Sequence, residues 1–138
     1  GLSQLQKLPD LVNRRKRIAA HYDEAFAELP QLTSPIELPN CQSAWHLYVV
    51  KLNLENLSKD RDAIFQALRC ENIGVNVHYI PVPWLDYYQK LGYKKNSWPI
   101  AEAMFHRLIS LPMWPGMTDE DIKDVILAVK KVLKAYQK

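Results

Sequence analysis

Apolar side chains recur every three to four positions at Leu2, Leu5, Leu8, Leu11, Val12, Ile18, Ala19, Tyr22, Phe26 and Leu29. That spacing predicts a long helix over residues 2–29. Pro9 removes one backbone donor and suits a first helical position, which predicts a kink or a break near Leu8. Pro30, Pro35 and Pro39, with Thr33, Ser34 and Asn40 among them, predict a loop over 30–44. β-Branched and aromatic residues then gather between Ala44 and Asn53, the strongest strand signal in the chain. Tyr48, Val49 and Val50 are apolar on both alternations, so both faces of that strand are expected to be covered.

Ser58 is the expected cap of a second helix, with Asp60 and Asp62 in its first turn and Ile64, Ala67 and Leu68 as its apolar stripe. The helix is expected to end near Asn72, Ile73 and Gly74, where Gly74 tolerates the backbone needed after a helix, and Val75 to Val77 to form a short strand. Trp84 to Leu91 reads as a short helix stopped by Gly92. Ser97 is the expected cap of another, with Pro99 in its first turn and Ala101, Met104, Phe105 and Leu108 buried. Ile109 to Met113 reads as a short extended piece. Thr118 and Asp121 form a capping-box pattern ahead of a last helix over 119–135, whose stripe is Ile122, Val125, Ile126, Val129, Val132 and Leu133. The element order predicts an α+β fold, a small sheet covered on one side by helices.

Composition narrows the class. With 138 residues the chain suits one domain, and 48% apolar with 24% charged residues is globular usage. A net charge of +3 does not point to nucleic acid or an anionic membrane. No apolar run approaches the roughly 18 residues of a membrane span. The N-terminus has neither the basic nor the apolar region of a signal peptide. It also lacks an initiator Met, which raises the expectation of a fragment. Cys41 and Cys70 have no metal-ligand spacing and read as buried, reduced thiols of a cytoplasmic protein.

Candidate chemistry is sparse. Gly1, Gly74, Gly92 and Gly116 are too scattered for a phosphate-cradling loop. His21, His46, His78 and His106 form no metal set; His46 reads as packed at a strand end, and His21 and His106 as surface or boundary residues. The basic run Arg14 to Arg17 reads as a solvated helix face. The stretch from Gly74 to Pro83 differs, because His78 and Tyr79 follow a short strand and precede Pro81 and Pro83. Imidazole and phenol at a strand-to-loop junction can donate hydrogen bonds to phosphate or sugar oxygens. They can equally be packing residues, and Tyr79, Trp84, Tyr87 and Tyr88 can form an aromatic cluster.

Four blocks carry a family resemblance. They are Gly1 to Leu8 with Arg14, Arg15 and Ala20 to Tyr22; Ser43 to Val50; Asn72 to Pro83 with Tyr87, Tyr88 and Leu91 to Tyr93; and Ala101–Glu102 with Ser110 to Thr118. In this order and spacing the chain resembles the C-terminal part of the sugar aminotransferases of the DegT–DnrJ–StrS family. These are pyridoxal-phosphate (PLP) enzymes of fold type I. The resemblance implies a small C-terminal domain over 1–138, with a short antiparallel sheet packed with helices. Residues 1–30 would be the helix linking it to a large PLP-binding domain absent from this sequence. It implies amino transfer from an amino acid, glutamate for example, to a keto group on a nucleotide-linked sugar, in a homodimer and without nucleic acid, membrane or metal partners. The cofactor acts as electron sink and the protein orients it. Val77, His78, Tyr79 and Ile80 match the segment bordering the sugar-nucleotide site, with Asn76 beside them. The Schiff-base lysine of the family lies upstream, and none of the 12 lysines here falls in a matching block. The chain alone is therefore expected to bind no PLP and to be inactive.

Two other readings stay open on the sequence. One is a stand-alone interaction domain using Leu2, Leu5 and Leu8 as an exposed stripe. The other is a nucleic-acid binder through Arg14 to Arg17, which would show steeply salt-dependent binding.

Overall fold

A computed structural model describes residues 1–138. Its sheet has three antiparallel strands in the order β1 (Leu32–Thr33), β2 (Tyr48–Leu52) and β3 (Leu108–Leu111). β2 is central, with Leu32 opposite Leu52 on one side and Val50 opposite Ile109 on the other. The helices are α1 (Leu2–Phe26), α2 (Arg61–Cys70), α3 (Asp86–Lys90), α4 (Pro99–Phe105) and α5 (Asp119–Ala135). This is the expected α+β domain.

Alternation along the strands decides where the core sits. Tyr48, Val50 and Leu52 are buried, whereas Val49 and Lys51 between them are half-buried. The expectation that both faces of β2 would be fully covered is thus met on one face only. Ile18, Ala19, Tyr22 and Phe26 of α1, Ile64 and Leu68 of α2, and Ile122, Val125, Val129, Val132 and Leu133 of α5 close over the buried face. Each fully buried aliphatic side chain contributes about 1.5–3 kcal/mol. Tyr22 donates to the Pro112 carbonyl at 2.8 Å, and Tyr48 to the Asp23 carboxylate at 2.5 Å. Burial holds both phenols well above the usual tyrosine range, with Asp23 adding to the effect at Tyr48.

Several local expectations are corrected. α1 runs unbroken through Pro9. The Leu5 carbonyl loses its helical donor there, but residues 1–10 are exposed and water can replace it. The helix stops at Phe26 rather than Leu29. The 30–44 loop contributes β1, and the main strand starts at Tyr48, because Trp45 takes a left-handed φ of 49°. Asp60, not Ser58, caps α2 by accepting from the Ala63 N–H at 2.9 Å. The Ser58 hydroxyl donates to the Tyr136 carbonyl. Asn72, at φ 62°, makes the left-handed step after α2 that was assigned to Gly74. Residues 75–77 form a single bridge, not a strand.

α4 has no side-chain cap from Ser97, and its one buried residue is Glu102. Ala101 and Met104 are exposed, and Leu108 belongs to β3. Cys41, Cys70 and His46 are exposed, so the packed roles expected for them are not met. Trp45 is the buried residue at that strand entry. As expected, Gly92 ends α3 at φ 94°, and Thr118 and Asp121 close a reciprocal capping box on α5. No helix is long and apolar enough to cross a membrane.

Candidate functional site

The site is built on the free edge of β3. Asn76 and Ser110 exchange two backbone hydrogen bonds, N–H to carbonyl, at 3.1 and 2.8 Å. Directly paired residues share a face, and a residue two further on returns to it. The side chains of Ser110, Asn76 and His78 therefore meet on one face. Ile109 and Leu111 point the other way, into the core. Ser110 is buried to 3% exposure although it lies on the face away from the core.

His78 spans the two polar neighbours. Its Nδ1 lies 2.9 Å from Ser110 Oγ and its Nε2 lies 3.2 Å from Asn76 Nδ2. The Asn76 orientation is fixed independently, because its Oδ1 accepts from the Val77 N–H at 2.8 Å. Nδ2 is a donor only, so Nε2 must accept and Nδ1 must carry the proton and donate to Ser110. Tyr79 stands edge-on to the imidazole, ring centroids 4.7 Å apart, across a cis peptide bond.

Exposure separates the five expected site residues. Val77 and His78 are half-buried, Asn76 is exposed, and Tyr79 and Ile80 are 75% and 44% exposed. The structure gathers Asn76 and His78 into one polar cluster and leaves Tyr79 and Ile80 projecting from it. Tyr79 does not join the aromatic cluster with Trp84, Tyr87 and Tyr88. Tyr87, Tyr88, Tyr93 and Trp98 instead form their own chain of ring contacts, 5.5 to 5.8 Å between neighbouring centroids. Glu102 ties down the neighbouring turns, accepting from the Trp84 indole at 3.0 Å and from the Asn96 N–H at 2.7 Å.

In the sequence, Ser110 and Glu102 fall inside the family blocks but show no role of their own. Ser110 did leave a signal, as the one polar residue between Ile109 and Leu111. Two residues of the basic run are tied down: Arg14 donates to the Pro115 carbonyl, and Arg17 grips Asp119 with two contacts at 2.9 Å. A groove of about 500 Å³ lies between the end of α2, Trp114 and α5, and none of residues 76–80 lines it.

The DegT/DnrJ/EryC1/StrS aminotransferase family matches residues 1–130, and the chain belongs to that family. SpsC of Bacillus subtilis, a spore coat polysaccharide biosynthesis protein, is 42% identical over 136 residues, covering 97% of this chain and 35% of that protein. Spr1654 of Streptococcus pneumoniae in its PLP form superposes with a TM-score of 0.88 at 33% identity, covering 98% of this chain and 34% of that one. PseC of Helicobacter pylori, an aminotransferase of pseudaminic acid biosynthesis, does so with a TM-score of 0.89 at 29% identity, covering 99% and 36%. The chain thus spans about a third of the length of the relatives it matches.

Members of this family are PLP-dependent sugar aminotransferases. The residues present here do not fit that cofactor by themselves. Schiff-base chemistry needs a lysine whose amine is desolvated or otherwise activated. None of the lysines is buried. Lys131 pairs with Glu71, Lys138 donates to the Leu54 and Glu55 carbonyls, and Lys95 lies over the Trp84 ring. No catalytic step is derived through the cofactor in this chain.

Proposed function

We propose that this chain is the small, substrate-side domain of a PLP-dependent aminotransferase that moves an amino group from an amino acid, glutamate for example, to a nucleotide-linked 4-keto sugar. Its product would enter surface polysaccharide or glycan synthesis. The cofactor, its lysine and the rest of the catalytic wall belong to a large domain outside this sequence, and the complete enzyme is a homodimer in the cytoplasm. Residues 1–30 link the two domains, and Leu2, Leu5 and Leu8, at 75%, 62% and 45% exposure, are the face that meets the larger one. The finer reading is the transaminase of pseudaminic acid biosynthesis (UDP-4-amino-4,6-dideoxy-N-acetyl-β-L-altrosamine transaminase). It is supported by the likeness of the Gly74–Pro83 run and by the similarity to PseC.

The observation that carries the reading is the loop itself. It is anchored at its base by five hydrogen bonds among Asn76, Val77, His78 and Ser110, yet it offers Tyr79 and Ile80 to solvent. Val77 to Ile80, with Asn76, would select and orient the sugar nucleotide. In the complete enzyme, His78→Ala is expected to raise the sugar-substrate KM while leaving the cofactor absorbance in place. Loss of the cofactor spectrum with unchanged substrate binding contradicts this role. A separate check uses the 138-residue chain with added PLP. A stoichiometric, borohydride-reducible linkage at one lysine would sink the reading that the chemistry lies elsewhere.

A further inference from the structure

We propose that Ser110 is a positioning residue that acts through His78, and that Tyr79, not His78, offers the hydrogen-bonding group to the ligand. This rests on the reading of the loop as a sugar-nucleotide wall and deepens it. Both ring nitrogens of His78 are already engaged within the protein, Nδ1 with Ser110 and Nε2 with Asn76. An imidazole so placed has no free N–H to give a phosphate or sugar oxygen. It can fix the edge of a neighbouring ring, and Tyr79 is that ring, 75% exposed. No hydrogen bond from the Tyr79 hydroxyl to the rest of the chain occurs, so the hydroxyl is free to donate or accept.

Ser110 is suited to the task because it does not move with the loop. It sits in β3, opposite Val49 of the central strand, with its neighbours Ile109 and Leu111 locked in the core. Its hydroxyl reads the position of the imidazole against the sheet. Asn76 closes the arrangement from the other nitrogen, and its own amide is held by the Val77 N–H. The Asn76 amide sets the tautomer, and the Ser110 hydroxyl, able to donate or accept, takes the Nδ1 proton.

The test is a long-range ¹H–¹⁵N correlation spectrum of the His78 ring in the 138-residue chain near neutral pH, without ligand. The expected spectrum is a single tautomer protonated at Nδ1. Ser110→Ala removes the acceptor of the Nδ1 proton and is expected to shift the Nδ1 resonance and admit some of the second tautomer, while the core amide signals stay in place. Should that variant fold poorly, Asn76→Asp serves, since Asn76 is exposed and the change is isosteric. A carboxylate there accepts from Nε2, so a proton should appear on it. An Nε2-protonated ring in the unmodified chain, or an unchanged ring spectrum in either variant, overturns the inference. In the complete enzyme, Tyr79→Phe should raise the sugar KM about tenfold, the scale of one lost hydrogen bond. Ser110→Ala should raise it similarly, and Ser110→Thr, which keeps the hydroxyl, should restore the ring spectrum. Because the ring spectrum is taken without ligand, it fails or holds independently of substrate binding. An unchanged KM in both Tyr79 and His78 variants instead marks failure of the underlying functional reading.

Discussion

Two regions of this molecule are held together by different physics. The first comprises the sheet with α1, α2 and α5 and the short connections beside them, and it contains all 22 residues of the buried apolar core. The second is the excursion from Asn76 to Arg107, between core residue Val75 and strand β3, and it contributes none of them. Its single buried residue is the carboxylate-bearing Glu102. Ring edges, a few directed hydrogen bonds and the Asn76–Ser110 bridge hold it. Apolar burial is strong and non-directional, so it fixes the scaffold. Directed polar contacts are individually weak and leave surface free, which suits a segment that must meet a ligand.

The sharpest way to break this contrast is to remove a side chain from the first region. Ile64 is fully buried under the sheet. Ile64→Ala is expected to cost about 2–5 kcal/mol, read as a fall in the urea midpoint seen equally by every probe. Tyr87, at 69% exposure in the excursion, provides the control, and Tyr87→Ala should stay within about 0.5 kcal/mol. Equal losses for the two would remove the distinction between the regions.

Glu102 tests the second region in its own terms. Glu102→Ala leaves the Trp84 indole N–H and the Asn96 N–H without their acceptor. Each orphaned donor costs about 1–3 kcal/mol where it is shielded from water. Faster amide exchange over residues 84–98 is expected, with protection in β2 and α5 unchanged. Uniformly faster exchange through the sheet would show that the excursion is part of the core after all.

The same contrast explains what was legible in the sequence. Periodicity located α1, α2 and α5 because their stripes meet a core, and Ile122 to Leu133 of α5 were read almost residue for residue. The capping box at Thr118 was readable because its chemistry is local. In the excursion, periodicity had nothing to report. The stripe expected for α4 was wrong since that helix turns a carboxylate inward to meet two donors that lie 6 and 18 residues earlier in the chain. The same limit applies to His78 and Ser110, which are 32 residues apart and meet only through strand pairing. The family blocks singled out this loop, but sequence could not assign the imidazole its partners. Capping failed at Ser58 and Ser97 for a simpler reason, namely that Asp60 lies closer to the helix start and Trp98 begins α4 without a side-chain cap.

The smallest predicted effect lies at the start of α5, and it asks whether a local device in the first region reports on the whole scaffold. Asp121 is held below the usual carboxylate range, first by the Thr118 backbone N–H and then by the Thr118 hydroxyl, both at 2.8 Å. A carboxylate depressed in the folded state adds stability above its unfolded pKa, near 3.9, and loses it as pH falls through the lower folded value. Asp121→Asn should therefore be less stable than the unmodified chain at neutral pH, and the gap should close below about pH 4. Thr118→Ala should cost about 1 kcal/mol at neutral pH through the lost cap. Because α5 is part of the scaffold, both changes should move the global urea midpoint. A cap effect visible only as local amide exchange at residues 119–122, with the midpoint unmoved, would place the helix start on the same footing as the loop and weaken the division drawn between them.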